Sequence, residues 1–309
     1  MRKIWLQKPN SLEIWDLLPT DSWNRNNASP FLAIKGMGYK QEVTQNQVNT
    51  EYFVSKILTK NQPITGIMYF QDDEHIKAFQ EFVGDFREQL ILYYSPSGEY
   101  EPYDRLSAPF YKRVIISQMD KGEMDEFGWY QISTTLSTQD DVWNRDVYYA
   151  VERLSQVGEA LVYPYTYPYA LGGRNALSIE FTNDGREVGC VVKIKNNSYT
   201  NLSEIEWFIE REYIDYYGNL HEHADVQRSK WVLNLSSGNE LVVDSNPITQ
   251  EAKVNYTDNT SQSVVDLQEP SWEYINFITI PHGKNRIVFY LENRDIDITF
   301  SYREQKEII

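Results

Sequence analysis

The chain has 309 residues and a formal net charge of −16, with 29 Lys and Arg against 45 Asp and Glu. No run of basic residues stands out, so the sequence offers no patch that would neutralise phosphates, and nucleic acid is disfavoured as a bound partner. The length exceeds what one hydrophobic core usually serves, which predicts two domains. The 23 Tyr and 8 Trp residues indicate a large contact area, because such rings suit surfaces that are half packed and half wet.

The N-terminal stretch and the single cysteine indicate the cellular compartment of the protein and limit the sites it can form. The sequence contains no apolar run of signal-peptide or membrane-span length. We therefore expect no membrane partner and a protein that is made and kept in a cytoplasm. Cys190 stands alone, which excludes an internal disulfide and a cysteine cluster for metal.

The first seventy residues read mostly as strands. Residues 3–17 alternate around a Pro-Asn turn and predict a β-hairpin whose two tryptophans are large packing residues. A new strand begins at residue 31, with Gly36 and Gly38 as bend points. Residues 41–62 form a polar segment, and residues 64–70 predict another short strand.

Residues 71–90 carry the pattern of an amphipathic helix. Apolar side chains recur at steps of three and four, which places them on one stripe: Ile76, Phe79, Phe82, Val83, Phe86 and Leu90. Asp72 is expected to accept hydrogen bonds from free N–H groups at the helix start, and Asp73 and Glu74 suit the positive end of the macrodipole. The LILYY run that follows is too short for a second helix and predicts a strand.

From Lys112 the sequence predicts a long β-hairpin. Its two strands of about seven to nine residues are joined through Asp120-Lys121-Gly122 and an acidic tract, with Ile116 and Ile132 as apolar residues on the two arms. A hairpin of this kind is not stable alone in water. We therefore expect it to pack on a helix or a neighbouring chain, with Ile116 and Ile132 at an oligomer or partner interface.

The second half of the chain reads as strands only. The composition turns polar between Thr138 and Asp146, where we place the boundary between domains of residues 1–140 and 141–309. Nine short strands with turn signals between them, the stretch WEYINFITI among these strands, then indicate a β-sandwich of jelly-roll type. The predicted fold class is mainly β: an α+β first domain with a sheet or barrel, one amphipathic helix and a long hairpin, followed by the sandwich.

Four tyrosines fall at every second residue between the two halves: Tyr163, Tyr165, Tyr167 and Tyr169. In an extended chain all four point to one side, and the interleaved prolines confine the segment to an edge strand or an arm. Large rings are the usual anchors of protein interfaces, so this tyrosine row predicts an oligomer or partner contact. A platform for a saccharide is the alternative interpretation.

No pattern of catalytic or metal chemistry stands out. Carboxylate pairs share strand faces: Glu204 with Glu206, and Asp295 with Asp297. A glycosidase, however, needs two carboxyl groups opposed across a cleft, which spacing within one strand does not indicate. His221 and His223 lie in a stretch that reads as a loop, and they offer two imidazoles to a metal without an identifiable third ligand. Nucleophile elbows, phosphate loops and dinucleotide fingerprints are absent, so we expect neither an enzyme nor a cofactor or metal.

Several stretches share the layout of one known family. They are EHIKAFQEFVGDFREQLILYY, VIISQMDKGEMDEFGWYQISTTLST, YPYTYPYALGG, WVLNLSSGNELVVDS, INFITIPHGKNRIVF and ITFSYRE. In this layout, which covers nearly the whole chain, the protein resembles the distal tail proteins (Dit) of long non-contractile-tailed bacteriophages that infect Gram-positive bacteria.

The resemblance implies a first domain that forms a homohexameric ring around a central channel, and a galectin-like sandwich domain on the outside of that ring. The implied partners are the tail tube protein, the tail-associated hub or fibre protein (Tal) and receptor-binding or baseplate proteins, with DNA only passing through the channel. It implies a virion component at the tail tip, assembled in the host bacterial cytoplasm. The alternative function is a lectin-like module that recognises a host cell-wall saccharide.

Overall fold

A computed structural model describes residues 2–9, 11–18, 27–38, 40–48, 51–96, 108–151, 175–214, 220–291 and 295–309. The chain forms two compact units: unit 1 comprises Met1–Arg145 and Gln305–Ile309, and unit 2 comprises Asp146–Glu304. Unit 1 is therefore built from both ends of the chain. The predicted mainly β fold class is confirmed.

In its described residues, unit 1 is an antiparallel sheet with one helix packed on it. Its elements are β1 (Lys3–Gln7), β2 (Ile14–Asp16), β3 (Phe31–Lys35), β4 (Lys40–Val48), β5 (Glu51–Lys60), β6 (Ile64–Phe70), α1 (Asp73–Val83), β7 (Leu90–Ser95), β8 (Phe110–Met124), β9 (Tyr130–Thr138) and the start of β10 (Trp143–Val151). The strand order is β2-β1-β7-β8-β9-β6-β3, while β4 and β5 form a separate two-stranded sheet. The pairing of β1 with β2 confirms the hairpin predicted for residues 3–17.

Helix α1 begins where the sequence predicts and ends earlier. Asp72 caps it, with its Oδ1 accepting from the His75 backbone N–H at 2.7 Å. The predicted stripe continues to Leu90, but the helix stops at Val83 because Gly84 takes a positive φ of 71° and donates its N–H to the Gln80 carbonyl. Leu90 therefore lies in β7. Among the described residues no helix is long and apolar enough to cross a membrane.

Aromatic rings form the contact between α1 and the sheet. Phe79 packs edge-on against Trp15, with ring centroids 5.0 Å apart, and lies 5.5 Å from Phe70 of β6. His75 stacks on Trp15 at 5.6 Å and is buried, which lowers the pKa of its imidazole. These side chains and their neighbours make up the core of unit 1.

The second predicted hairpin is longer than the sequence suggests. Asp120-Lys121-Gly122, predicted as part of the connection, lies inside β8, where Lys121 pairs with Ile132 of β9. The chain instead reverses at Asp125, whose carboxylate accepts hydrogen bonds from the backbone N–H groups of Phe127 and Trp129.

Unit 2 is a sandwich of two antiparallel sheets. Its strands, after β10, are β11 (Asn175–Asn183), β12 (Val188–Asn196), β13 (Leu202–Ile214), β14 (Leu220–Leu235), β15 (Glu240–Asp244), β16 (Glu251–Asn255), β17 (Ser261–Ser263), β18 (Thr279–Ile280), β19 (Gly283–Leu291) and β20 (Ile296–Lys306). One sheet has the order β17-β16-β15-β12-β20-β10, with β18 also on β12, and the other has the order β11-β19-β13-β14.

The core of unit 2 lies between these two sheets. Alternation along each strand sends every second side chain inward. Trp207 of β13, Trp231 of β14 and Phe289 of β19 are fully buried from one sheet, and Ile194 of β12 and Phe300 of β20 are fully buried from the other.

Two stretches of unit 2 differ from their predicted structure. The segment around His221, predicted as a loop, is part of β14, where His221 pairs with Tyr213. The WEYINFITI stretch, predicted as a strand, pairs only at β18 because Tyr274 donates its N–H to the Ser271 carbonyl and closes a turn before it. The β-propensity of these residues favours a strand, but the turn from Ser271 to Tyr274 limits strand pairing to β18.

Replacing Phe79 with Ala should destabilise unit 1 by about 3–5 kcal/mol, because the ring is fully buried between Trp15 and Phe70. Urea unfolding followed by tryptophan fluorescence measures the change. Lys77→Ala on the exposed face of α1 is the matched control and should change stability little. Equal losses in the two variants would contradict the packing described.

Candidate assembly surface

A groove of about 360 Å3 runs between α1 and strand β8 in unit 1. Its lining includes Ile76 of α1, Phe86 after the helix, Ile116 and Met119 of β8, and Ile132 of β9. Ser117, Gln118 and Lys121 add a polar rim. A groove with an apolar floor and a polar rim has the composition of a protein-contact surface.

A β-bulge at Ser117 shapes the floor of this groove. Ile116 pairs with Leu136, but Gln118 pairs with Thr135, so Ser117 is the extra residue on β8. The bulge resets the alternation and brings Met119 to the same side as Ile116, where Met119 packs against the core. Ser117 Oγ donates to the Thr135 carbonyl at 3.2 Å, which ties the bulge to β9.

An ion pair and a tyrosine close one end of the groove and join the hairpin to α1. Lys121 Nζ lies 2.6 Å from Asp73 Oδ1 and 4.2 Å from the centre of the Tyr130 ring. The hydrogen bond from Lys121 lowers the pKa of Asp73, and the same bond raises the pKa of Lys121. A lowered carboxyl pKa means that the pair is complete above the ordinary Asp value of about 3.9 and opens only as the pH falls through the lowered pKa of Asp73.

The tip of the β8–β9 hairpin is held by Asp125. Its Oδ1 accepts from the N–H groups of Phe127 at 3.0 Å and Trp129 at 2.8 Å, and its Oδ2 accepts from Gln131 Nε2 at 3.0 Å. These bonds, led by the one from Trp129, lower the pKa of the Asp125 carboxyl. Phe127 is 78% exposed on this fixed turn. The tip therefore presents an aromatic side chain on a rigid support.

The interface residues predicted from sequence fall in different places. Ile116 and Ile132 lie together at the groove but are 5% and 2% exposed, as parts of the core of unit 1. The tyrosine row, Tyr163 to Tyr169, lies outside the described residues. An interface role for all six residues stays a prediction. Sequence reasoning missed the groove itself, because its walls meet only once α1 has packed on the sheet.

Unit 2 carries a second and more polar cleft, of about 360 Å3, on the outer face of its β11-β19-β13 sheet. Arg286 Nε donates to Glu210 Oε2 at 2.6 Å, and Lys284 Nζ lies 3.3 Å from Glu212 Oε2. Glu180 completes the charged lining. This cleft holds paired charges in fixed positions, which suits hydrogen bonding to a polar ligand.

Among the described side chains, the candidates for catalysis and metal binding do not come together as a site. Glu204 lies on β13, 3.7 Å from Lys230 Nζ, whereas Asp297 lies on β20 in the other sheet. His221 is an exposed residue of β14. Within the described ranges no three His, Cys, Asp or Glu side chains are grouped to hold a metal ion.

Replacing Lys121 with Met should loosen the β8–β9 hairpin from α1, because it removes the charge that holds Asp73 and faces Tyr130. We expect faster amide hydrogen exchange from Gln118 to Tyr130 and little change in melting temperature. Lys77→Met is the control, because Lys77 lies on α1 and forms an ion pair with Glu81 of the same helix. Identical amide hydrogen exchange in both variants and in the parent protein would show that the contact of Lys121 with Asp73 does not hold the hairpin to α1.

Comparisons with known proteins concern the fold as a whole. No protein-family model matches the sequence, and no curated protein matches it significantly. Among solved structures, the chain is similar to the Dit protein (gp 19.1) of phage SPP1, at a TM-score of 0.55 and 10% identity over 97% of this chain and 98% of that one. A baseplate chain of phage P2 in its activated, calcium-bound conformation aligns over both full lengths at 12% identity and a TM-score of 0.46.

At this identity the likeness concerns the fold alone. It spans unit 1 and unit 2 in a single alignment, with the helix-backed sheet first and the sandwich second. This protein has the fold of a phage distal tail protein, Dit.

Proposed function

We propose that this protein is a structural component of a bacteriophage tail tip. Six copies form a ring that connects the tail tube to the host-recognition apparatus and leaves a central channel for DNA. The observation that carries the proposal is the coverage of the fold likeness, which takes in 97% of this chain and 98% of SPP1 Dit, a protein described as a paradigm of the hub adsorption apparatus.

Open strand edges in unit 1 support assembly. Beyond Val114, the described residues include no strand on the edge of β8 that faces away from β9. Exposed strand edges promote pairing with further chains, and proteins normally cover them. A ring in which each copy contacts the next would cover them.

A hub role needs contacts rather than chemistry. The ring would meet the tail tube protein on one side and the Tal or baseplate proteins on the other, and it would catalyse nothing. With a net charge of −16 per chain, an acidic channel wall would repel the DNA backbone and let it pass. A map of the ring with a basic channel lining would contradict this last point.

Light scattering on the purified protein tests the ring. We expect a particle mass of about six times the 36.4 kDa of one chain, because a cyclic assembly closes at a fixed copy number. Negative-stain images of the same fraction should show rings with a central hole. A monomer at all concentrations would contradict ring formation by this chain.

A saccharide-binding function is the second candidate, favoured by the charged cleft of unit 2. If it holds, titration with purified cell-wall polysaccharide of the host should give saturable binding. Arg286→Met should weaken that binding, because it removes the partner of Glu210 at the cleft. Lys253→Met, on the other sheet of the sandwich, is the control. If the parent protein shows no saturable binding, the saccharide-binding function is excluded and the scaffold role is the proposal that remains.

A further inference from the structure

A compact loop of residues 269–275, here called the apex loop, lies beside β14 in unit 2. At its start the Glu269 N–H donates to the Lys230 carbonyl at 3.0 Å, and at its end the Ile275 N–H donates to the Arg228 carbonyl at 2.7 Å. The two ends of the loop are therefore held by carbonyls that lie close together on one strand. Compact loops whose ends lie close together frequently carry function.

Hydrogen bonds within the apex loop and directly after it fix the shape of its backbone. The Tyr274 N–H donates to the Ser271 carbonyl at 3.1 Å, and the Glu273 N–H donates to Ser271 Oγ at 3.4 Å. Directly after the loop, Ser229 Oγ of β14 donates to the Asn276 carbonyl at 2.9 Å. The loop is therefore preorganised, which lowers the entropic cost of binding a ligand.

Trp272 lies in the middle of the apex loop and is 91% exposed. A single exposed apolar side chain is common on protein surfaces. A tryptophan on a fixed backbone differs from most of them, because it offers a large flat face and loses little conformational entropy when a ligand covers it. The apex loop therefore presents an aromatic ring in a form that suits stacking.

The groups around this ring are polar and mostly acidic. Residues 265–275 include Asp266, Glu269 and Glu273 but no basic residue. The core of a protein interface is depleted of charged residues, so a ring between carboxylates fits a protein pocket poorly. A saccharide fits better, because the apolar face of a sugar ring can stack on the indole while its hydroxyls donate hydrogen bonds to the carboxylates.

Charge restricts the class of saccharide. The chain has a net charge of −16, and the segment around Trp272 adds three carboxylates without a basic residue. A polymer that carries phosphates would be repelled, whereas uncharged sugar rings would not be. Trp272 is not part of the lining of the charged cleft, which lies on β11, β19 and β13 of the sheet that ends in β14.

We infer that the apex loop is a stacking platform for an uncharged saccharide chain and forms a binding site separate from the charged cleft. Trp272 contacts the apolar face of one sugar ring, and Glu273 accepts hydrogen bonds from hydroxyls at the edge of that ring. The inference rests on the saccharide-binding candidate given under the proposed function, and it names the class of ligand and the residue that stacks on it. It does not depend on ring formation.

Titration calorimetry of the full-length protein with the neutral cell-wall polysaccharide of the host, freed of teichoic acid, tests this platform. We expect Trp272→Ala to weaken binding by about tenfold, because it removes the stacking surface. Trp272→Phe keeps a flat ring and should bind with intermediate affinity. Tyr199→Ala, at an equally exposed aromatic side chain on the β12–β13 connection, is the matched control and should bind like the parent protein. The teichoic acid fraction, a phosphate polymer, should not bind.

Each outcome decides between the site and the function. Binding that Trp272→Ala leaves unchanged overturns the platform and leaves the charged cleft as the saccharide site. No binding by the parent protein overturns both the platform and the saccharide-binding candidate, while a particle of about six chains in light scattering still supports the ring. If Trp272→Ala instead abolishes the attachment of another tail-tip protein to a parent that binds no polysaccharide, the apex loop is a protein contact and the inference is wrong.

Discussion

A layer of aromatic rings between α1 and the sheet is the contact on which unit 1 depends. Phe79 sits between Trp15 and Phe70, and His75 stacks on the same tryptophan. Because this layer fixes the helix, it also fixes Asp73 opposite Lys121 and Ile76 opposite Ile116. The groove and the clamped hairpin are consequences of one hydrophobic contact.

Local pattern predicted much of the fold, and tertiary contacts decided the rest. The sequence predicted the apolar stripe on α1, the Asp72 cap and the sandwich strands, because hydrophobic periodicity and helix capping depend on residues close together in the chain. The end of α1 was not, since Phe86 continues the period that Gly84 interrupts. The β4–β5 ribbon was missed because β4 is mostly polar and the ladder is made by the backbone.

The candidate surface was predictable only in part. The sequence identified Ile116 and Ile132 as apolar residues of a hairpin. The sequence pattern of an apolar residue is the same whether its side chain packs in the core or against another chain. The burial of Lys112 was equally hidden: its ammonium lies 5.3 Å from the centre of the Trp143 ring, and burial lowers its pKa. Which side chains meet across the sheet is a result of folding, not of spacing.

The two hairpins of unit 1 leave β6 at opposite ends. Ile64, next to β4–β5, pairs with Leu136, and Phe70 pairs with Tyr130 beside the acidic tip that carries Phe127. Unit 1 thus has a direction, with a valine-bearing ribbon at one end and an aromatic residue among carboxylates at the other. In the proposed ring, units that all point the same way would give two chemically unlike sides, as an adaptor between different proteins requires.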